Sequence, residues 1–166
     1  MILTKNVILN EMKKGRIKIT PFNKSYIGDT SIDLTLDNKF RVFSKRGKIT
    51  LSEDSDYKKF LKLVEADSIV VHPGQFILGI TKETIKLPDD ICGWLSGRSR
   101  FARLGLVIHV TASFVHPGVD NKQVLEIKNV GTSDLVLKKG LRICQLILER
   151  TEGKAKYRGK FQRQSL

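Results

Sequence analysis

A short segment in the second half of the chain concentrates side chains that suit phosphate. Within six positions, and between Gly97 and Gly105, lie Arg98, Ser99, Arg100 and Arg103. At the start of a short helix, exposed backbone N–H groups and forked guanidinium donors favour an anion. The segment has neither the spacing of a P-loop nor a G-x-G-x-x-G pattern. It therefore predicts either a phosphate site of another kind or a positively charged surface turn.

Glu126 is the candidate for proton transfer. A strand over Val124–Asn129 would place Leu125 and Ile127 on one face and Glu126 with Lys128 on the other. The carboxylate need not enter the core, and a surface ion pair with Lys128 or an arginine is the plain alternative. Other candidates for a general base are few, which strengthens the functional interpretation of Glu126.

The histidines and cysteines do not form a metal or nucleophile pattern. His72 and His116 each precede a Pro-Gly turn, and His109 lies in an apolar strand, where a structural role is the default. Cys92 and Cys144 are isolated and are predicted to be reduced core residues. The H-x-E and P-C-x-x-C motifs of zinc deaminases and the G-x-S-x-G elbow are absent from the sequence. Any hydrolysis would use a water molecule activated by a carboxylate, without zinc.

Period-two apolar patterns predict the scaffold that positions these residues. They indicate a mainly β fold, a distorted β-barrel or double-sheet roll, with a few short helices. Candidate helices are Thr4–Gly15, Tyr57–Ala66 and the very short Ser99–Leu104. Candidate strands cover residues 32–36, 40–43, 69–71, 75–81, 91–95, 106–110, 124–128, 135–137 and 141–148.

Length and charge bound the organisation of the chain. Its 166 residues predict a single domain, 1–148, that includes the N-terminal helix. The basic tail, 149–166, carries six Lys/Arg and is expected to close over phosphates, the alternative being a solvated terminus. The net charge of +13 favours an anionic partner without distinguishing nucleotide, nucleic acid, phosphosugar or membrane surface. With no apolar span and no secretory signal, we expect a cytoplasmic protein.

Several motifs, in order along nearly the whole chain, resemble those of the dCTP deaminase family in the dUTPase superfamily. The main ones are Asp33-Leu34-x-Leu36, Gly97-Arg98-Ser99-x-x-Ala102-Arg103-Leu104-Gly105-Leu106, His109-Val110-Thr111-Ala112, Pro117-Gly118 and Leu125-Glu126-x-x-Asn129. The resemblance implies a dUTPase-type fold, with a distorted β-barrel or jelly-roll-like core, and a homotrimer whose active sites lie between subunits. It also implies a hydrolase that converts dCTP and water to dUTP and ammonia. Mg²⁺ would enter on the triphosphate, with no metal at the cytosine.

The same resemblance assigns roles to individual residues. Glu126 matches the general acid/base, Ser99 the residue that holds the attacking water, and Arg103 an arginine beside the glutamate. The residues expected at the substrate are Arg98, Arg100, Val110, Thr111, Ala112, His116, Lys156, Tyr157 and Lys160. Of these, Thr111 and Ala112 match the backbone that contacts the pyrimidine, and Lys156 and Tyr157 match the tail over the triphosphate. dTTP is a candidate feedback inhibitor, and we expect no binding to nucleic acid or membrane.

Three positions depart from the family pattern. Arg100 replaces a small serine, Lys160 replaces a glutamine, and His116 stands where the superfamily usually has an aspartate. In members that hydrolyse dUTP, this aspartate activates the water that attacks the α-phosphate. We therefore expect dUTP, a precursor for thymidylate synthesis, as the product. The alternatives are a bifunctional enzyme giving dUMP and pyrophosphate, a dUTPase, or a non-catalytic nucleotide- or nucleic-acid-binding relative.

Overall fold

A computed structural model describes residues 1–44, 47–159, 161, 162, 164 and 166. Within them lie the helices α1 (Lys5–Lys13) and α2 (Ser99–Ala102), and single 3₁₀ turns at Lys24–Tyr26 and Tyr57–Lys59. The strands are β1 (Lys18–Thr20), β2 (Ser31–Phe43), β3 (Leu61–Glu65), β4 (Ser68–Val71), β5 (Phe76–Lys86), β6 (Ile91–Gly97), β7 (Leu106–Ile108), β8 (Phe114–Val115), β9 (Asp120–Asn129), β10 (Leu135–Lys138) and β11 (Arg142–Arg150).

One antiparallel sheet carries most of the described strands. Its order is β7-β9-β5-β2-β11-β6-β8, with β1 also paired to β5 and β3 to β2, while β4 and β10 form a separate pair. The long strands β2 and β5 change register between Leu36 and Phe40 and between Ile80 and Thr84. Such irregularities bend and twist a strand, which lets the sheet curl around one core. The predicted mainly β fold with a few short helices is confirmed.

The core consists mainly of apolar side chains from the inner face of this sheet, together with Ile8 of α1, Val71 of β4 and Leu137 of β10. Phe40, Ile77 and Leu125 are fully buried there. Cys92 and Cys144 are free and buried, as predicted. Burial raises the pKa of the Cys144 thiol, so this cysteine behaves as a small apolar core residue.

The described helices are short and lie where two of the three predicted helices were placed. α1 follows the N-cap Thr4 and ends before Gly15, which has φ +71°. α2 begins directly after Arg98, the first arginine of the arginine-rich segment, whose backbone is extended. No helix among the described residues is long and apolar enough to span a membrane.

The predicted helix over residues 57–66 is wrong. Only the single 3₁₀ turn Tyr57–Lys59 forms, and Leu61–Glu65 is strand β3. β3 pairs antiparallel with the end of β2, with Leu61 opposite Phe43 and Val64 opposite Phe40. The spacing of the apolar residues fits both conformations, and pairing with a neighbour distant in sequence decides between them.

Candidate active site

The carboxylate of Glu126 is held by four hydrogen-bonding contacts on the face of β9 that points away from the core. Leu125 and Ile127 are fully buried and Glu126 is half-buried, as the alternation predicts. The backbone N–H groups of Thr111 and Ala112 donate to Oε2 over 2.7 and 3.4 Å. The Thr111 hydroxyl lies 3.2 Å from Oε1 and 3.1 Å from Oε2. This arrangement fixes a carboxylate that still has free lone pairs for a proton.

A turn after β7 brings residues 111 and 112 to Glu126. His109 has φ +55°, a left-handed conformation that is uncommon for residues other than glycine. Its backbone N–H donates to the carbonyl of Glu126 over 2.9 Å, so the turn begins on the strand that carries the acid. Loops that tie a backbone to a functional strand in this way are typical of sites that need precise positioning.

The imidazole of His109 lines a cavity beside Glu126. From the sequence, a structural role in an apolar strand was the default expectation for this histidine. Burial lowers its pKa, and this effect outweighs the opposing effects of the Glu126 charge and the Val124 backbone. The ring is therefore neutral at pH 7 and adds no charge beside the carboxylate.

A cavity of about 470 Å³, the Glu126 cavity, opens beside this carboxylate. Its polar wall comes from β9, from the turn after β7 and from the loop before β9, and its apolar wall comes mainly from the ends of β2, β5 and β8. The polar residues are His109, His116, Asn121, Gln123 and Glu126, and the apolar ones include Phe43, Leu61, Phe76, Leu78 and Phe114. The C-terminal residues Tyr157, Phe161 and Gln164 complete the lining.

The C-terminal segment, residues 155–159, 161, 162 and 164, folds back onto the Glu126 cavity of the same chain. The Tyr157 ring stacks on His116 with centroids 4.5 Å apart and planes 11° apart, and Phe114 meets the other side of His116 edge-on at 4.7 Å. The Tyr157 N–H donates to the Pro117 carbonyl over 3.0 Å. Lys156 passes so close to Gly118 that a Cβ on this glycine would lie 2.9 Å from its Cγ. The predicted contact residue Lys160 lies outside the described residues.

The arginine-rich segment lines a second cavity of about 430 Å³, the arginine cavity. Arg98 forms an ion pair with Asp33 at 3.2 Å and donates to the Arg142 carbonyl over 3.0 Å. Arg142 lies 3.4 Å from the same Asp33. Ser99 and the exposed Arg100 are also in the lining. One half-buried carboxylate therefore orients two guanidinium groups and leaves a net positive wall, which suits a phosphate chain.

Within a single chain, the residues predicted for the site lie in two separate cavities. The Glu126 cavity includes Ala112, His116 and Tyr157, and the arginine cavity includes Arg98, Ser99 and Arg100. Neither lining includes Arg103 or Val110, whose described positions are exposed. Ser99 and Arg103 thus do not line the cavity of the Glu126 of their own chain, and their catalytic roles stay predictions.

The N–H groups of Thr111 and Ala112 are directed at Glu126 in this structure. Their predicted contact with a pyrimidine stays a prediction. The predicted Mg²⁺ also stays a prediction, to be carried by the nucleotide. In the part of the chain that the structure describes, no three His, Cys, Asp or Glu side chains cluster as metal ligands. The cations of the arginine cavity fit a polyanion that brings its own metal ion.

Sequence reasoning missed Asn121 and Gln123. Both occupy inward positions of β9 and are 6% and 5% exposed, in the same alternation as Leu125 and Ile127. A polar residue at an inward strand position is a detectable signal, because a buried amide requires hydrogen-bond partners. Extending the alternation four residues before Leu125 would have identified both.

The family model described as dCTP deaminase-like matches residues 2–151. The chain belongs to this family. Relatives named "dCTP deaminase, dUMP-forming" include one from Beutenbergia cavernae, 38% identical over 158 residues, with 93% of this chain and 82% of the relative covered. Another, from Acidothermus cellulolyticus, is 38% identical over 160 residues, with 95% and 84% covered.

A solved structure confirms the fold of this dCTP deaminase-like chain. The crystal structure of 2'-deoxycytidine 5'-triphosphate deaminase from Agrobacterium tumefaciens superposes with a TM-score of 0.71 at 21% sequence identity. The match covers 91% of this chain and 48% of the Agrobacterium chain, so this chain spans about half the length of that structure. At this identity the likeness supports the fold alone.

Proposed function

We propose that this chain is a dCTP deaminase that forms dUMP. In the first step dCTP and water give dUTP and ammonia, and in the second dUTP and water give dUMP and pyrophosphate. The observation that carries the proposal is the Glu126 carboxylate, fixed by Thr111 and Ala112 at the wall of a cavity of nucleotide size. The names of its relatives support dUMP in place of dUTP, the product expected from the sequence.

Glu126 is the proposed general acid/base of the deamination. Its carboxylate takes a proton from the water molecule that attacks C4 of cytosine and delivers a proton to N3. Glu126 then takes the remaining proton of the water-derived hydroxyl on C4 and passes it to the amino group, so that C4=O forms, the C4–N4 bond breaks and ammonia leaves. Proton transfer by a positioned group typically contributes about 10²–10⁴ in rate. The contacts from Thr111 hold the carboxylate in place during these transfers.

The arginine cavity is the proposed phosphate subsite, supplied by a neighbouring copy of the chain. Arg98 and Arg100 would bind the triphosphate of Mg²⁺-bound dCTP, and Ser99 would hold the attacking water. This proposal follows from the division of one chain between two cavities, since a homotrimer lets the Glu126 cavity of one copy face the arginine cavity of the next. Forked guanidinium donors suit phosphate oxygens at such an interface.

His116 favours a second candidate function, a deaminase that stops at dUTP. A carboxylate is expected at this position in members that hydrolyse dUTP, but here an imidazole is packed between Phe114 and Tyr157. If the α-phosphate is nevertheless attacked, another group must orient the second water molecule. The two candidates differ only in the phosphate state of the product.

Product analysis separates the two candidates. The purified full-length protein is incubated with dCTP and Mg²⁺, and a parallel reaction starts from dUTP. We expect dUMP, pyrophosphate and ammonia in equal amounts from dCTP, and dUMP with pyrophosphate from dUTP. Equal amounts of dUTP and ammonia, with no pyrophosphate, would support the second candidate. The absence of ammonia would contradict both.

A further inference from the structure

We propose that Asn121 and Gln123 form a latch that holds the C-terminal segment across the Glu126 cavity. The C-terminal segment is defined here by residues 155–159, 161, 162 and 164. In this proposal Asn121 is a positioning residue, which acts through the segment it holds. The inference goes beyond the proposed function, because the latch forms in the chain without nucleotide and can be tested without turnover.

Both polar atoms of the Asn121 side-chain amide are hydrogen-bonded. Its Nδ2 donates to the backbone carbonyls of Phe161 and Gln162, each over 3.0 Å. Its Oδ1 accepts from Nε2 of Gln123 over 2.6 Å. Because Gln123 donates to the oxygen of Asn121, the nitrogen must face the C-terminal segment. Both bonds go to backbone atoms, so they do not depend on which side chains the segment carries there.

Gln123 connects the latch to buried residues of the sheet. Gln123 is 5% exposed, and its backbone N–H donates to Oγ1 of Thr81 over 2.9 Å. Thr81 is fully buried and donates in turn to the backbone carbonyl of Glu83. The two bonds from Asn121 are made only when the segment is docked, so they favour the docked segment over an undocked one.

The C-terminal segment makes further, weaker or more exposed contacts with the loop before β9 and with β9 itself. Tyr157 lies on His116 and bonds to Pro117, and Nε2 of Gln164 donates to the Lys122 carbonyl over 3.2 Å. Phe161 and Gln164 then form part of the wall of the Glu126 cavity. The latch thereby determines whether this wall is present, and a ligand that needs the space must displace the segment.

Limited proteolysis with trypsin tests the latch in the full-length protein without nucleotide. A protease must draw its substrate into an extended strand, so the docked segment resists cleavage after Lys154, Lys156 and Arg158. We expect Asn121→Ala to raise the cleavage rate there by about tenfold or more relative to cleavage within the barrel, since two hydrogen bonds are lost. Asn121→Asp should do the same, because it keeps the acceptor for Gln123 and removes both donors.

Asn129 provides a matched control on the same strand. Its Nδ2 also donates to two backbone carbonyls, those of Val71 and Ser133, each over 2.8 Å, but neither belongs to the C-terminal segment. Asn129→Ala should lower the stability of the barrel without a selective rise in tail cleavage. If Asn129→Ala does not fold, Asn38→Ala, which loses a contact to Glu65, serves instead.

Selective cleavage in both Asn121 variants, at an unchanged melting temperature or with the control unaffected, would support the latch. Equal tail cleavage in wild type, Asn121→Ala and Asn121→Asp would overturn it. A wild-type segment that is cut as fast as an unstructured peptide would overturn it as well. Mass spectrometry of the fragments identifies which bonds are cut.

Discussion

Replacement of Thr111 by valine tests how the Glu126 carboxylate is positioned. Valine keeps the shape and removes only the hydroxyl, whose single hydrogen is shared between the two carboxylate oxygens at 3.1 and 3.2 Å. The shorter backbone bond of 2.7 Å remains. A hydrogen bond to a charged group contributes about 1.5–3 kcal/mol, and the exposed position of Thr111 favours the lower end. Since about 1.4 kcal/mol corresponds to tenfold in rate, we expect kcat to fall about tenfold.

Steady-state release of ammonia from dCTP measures this effect. KM should change by less than about threefold, because the lost bond orients the acid and does not contact the substrate. Thr111→Ser keeps the hydroxyl and is the control, with an expected kcat within about threefold of wild type. Equal kcat values for wild type and Thr111→Val would refute the positioning role, and an equal loss in Thr111→Ser and Thr111→Val would assign the effect to packing of the methyl group.

Two predictions concern stability. Burial alone raises the pKa of Glu11, but the hydrogen bond from Arg150 and the charge of Arg16 outweigh it and hold the pKa below its usual range. Glu11 therefore stabilises the fold above its unfolded-state pKa and less as the pH falls through the folded value, so urea midpoints of wild type should drop between about pH 5 and 3 more steeply than those of Glu11→Gln. Gly105→Ala should cost about 2–5 kcal/mol of unfolding free energy, because φ is +87° and a Cβ would lie 2.6 Å from the backbone nitrogen of Gly131. Gly140→Ala, at φ +80° in open space, should cost only about 1–2 kcal/mol, and equal losses in urea titrations of the two variants would contradict the steric argument.

Patterns with a period of two predicted most of the fold. Leu125 and Ile127 face the core and Glu126 faces away from it because successive side chains of a strand alternate, and this local rule is visible in the sequence. The segment at Leu61–Glu65 did not follow from its own residues. Its conformation depends on pairing with the end of β2, an interaction between residues far apart along the chain.

For the candidate site, too, local sequence patterns identified individual residues but did not predict how the fold places them relative to one another. Glu126 and the arginine-rich segment stand out by residue type and spacing, whereas the separation of Glu126 from Ser99 depends on how the sheet curls. No pattern in the tail predicts that Phe161 and Gln162 present their carbonyls to Asn121. A backbone contact of this kind does not depend on the side chains that a sequence shows.

The central claim is that the Glu126 carboxylate carries the proton transfers, and Glu126→Gln tests it most directly. The glutamine oxygen can accept the N–H bonds now made to Oε2, and its NH₂ can take the place of Oε1, where the Thr111 hydroxyl accepts in place of donating. Shape and dCTP affinity should therefore stay within about tenfold of wild type in calorimetric titration, whereas ammonia release should fall at least about 100-fold. Ammonia release near the wild-type rate would contradict the claim.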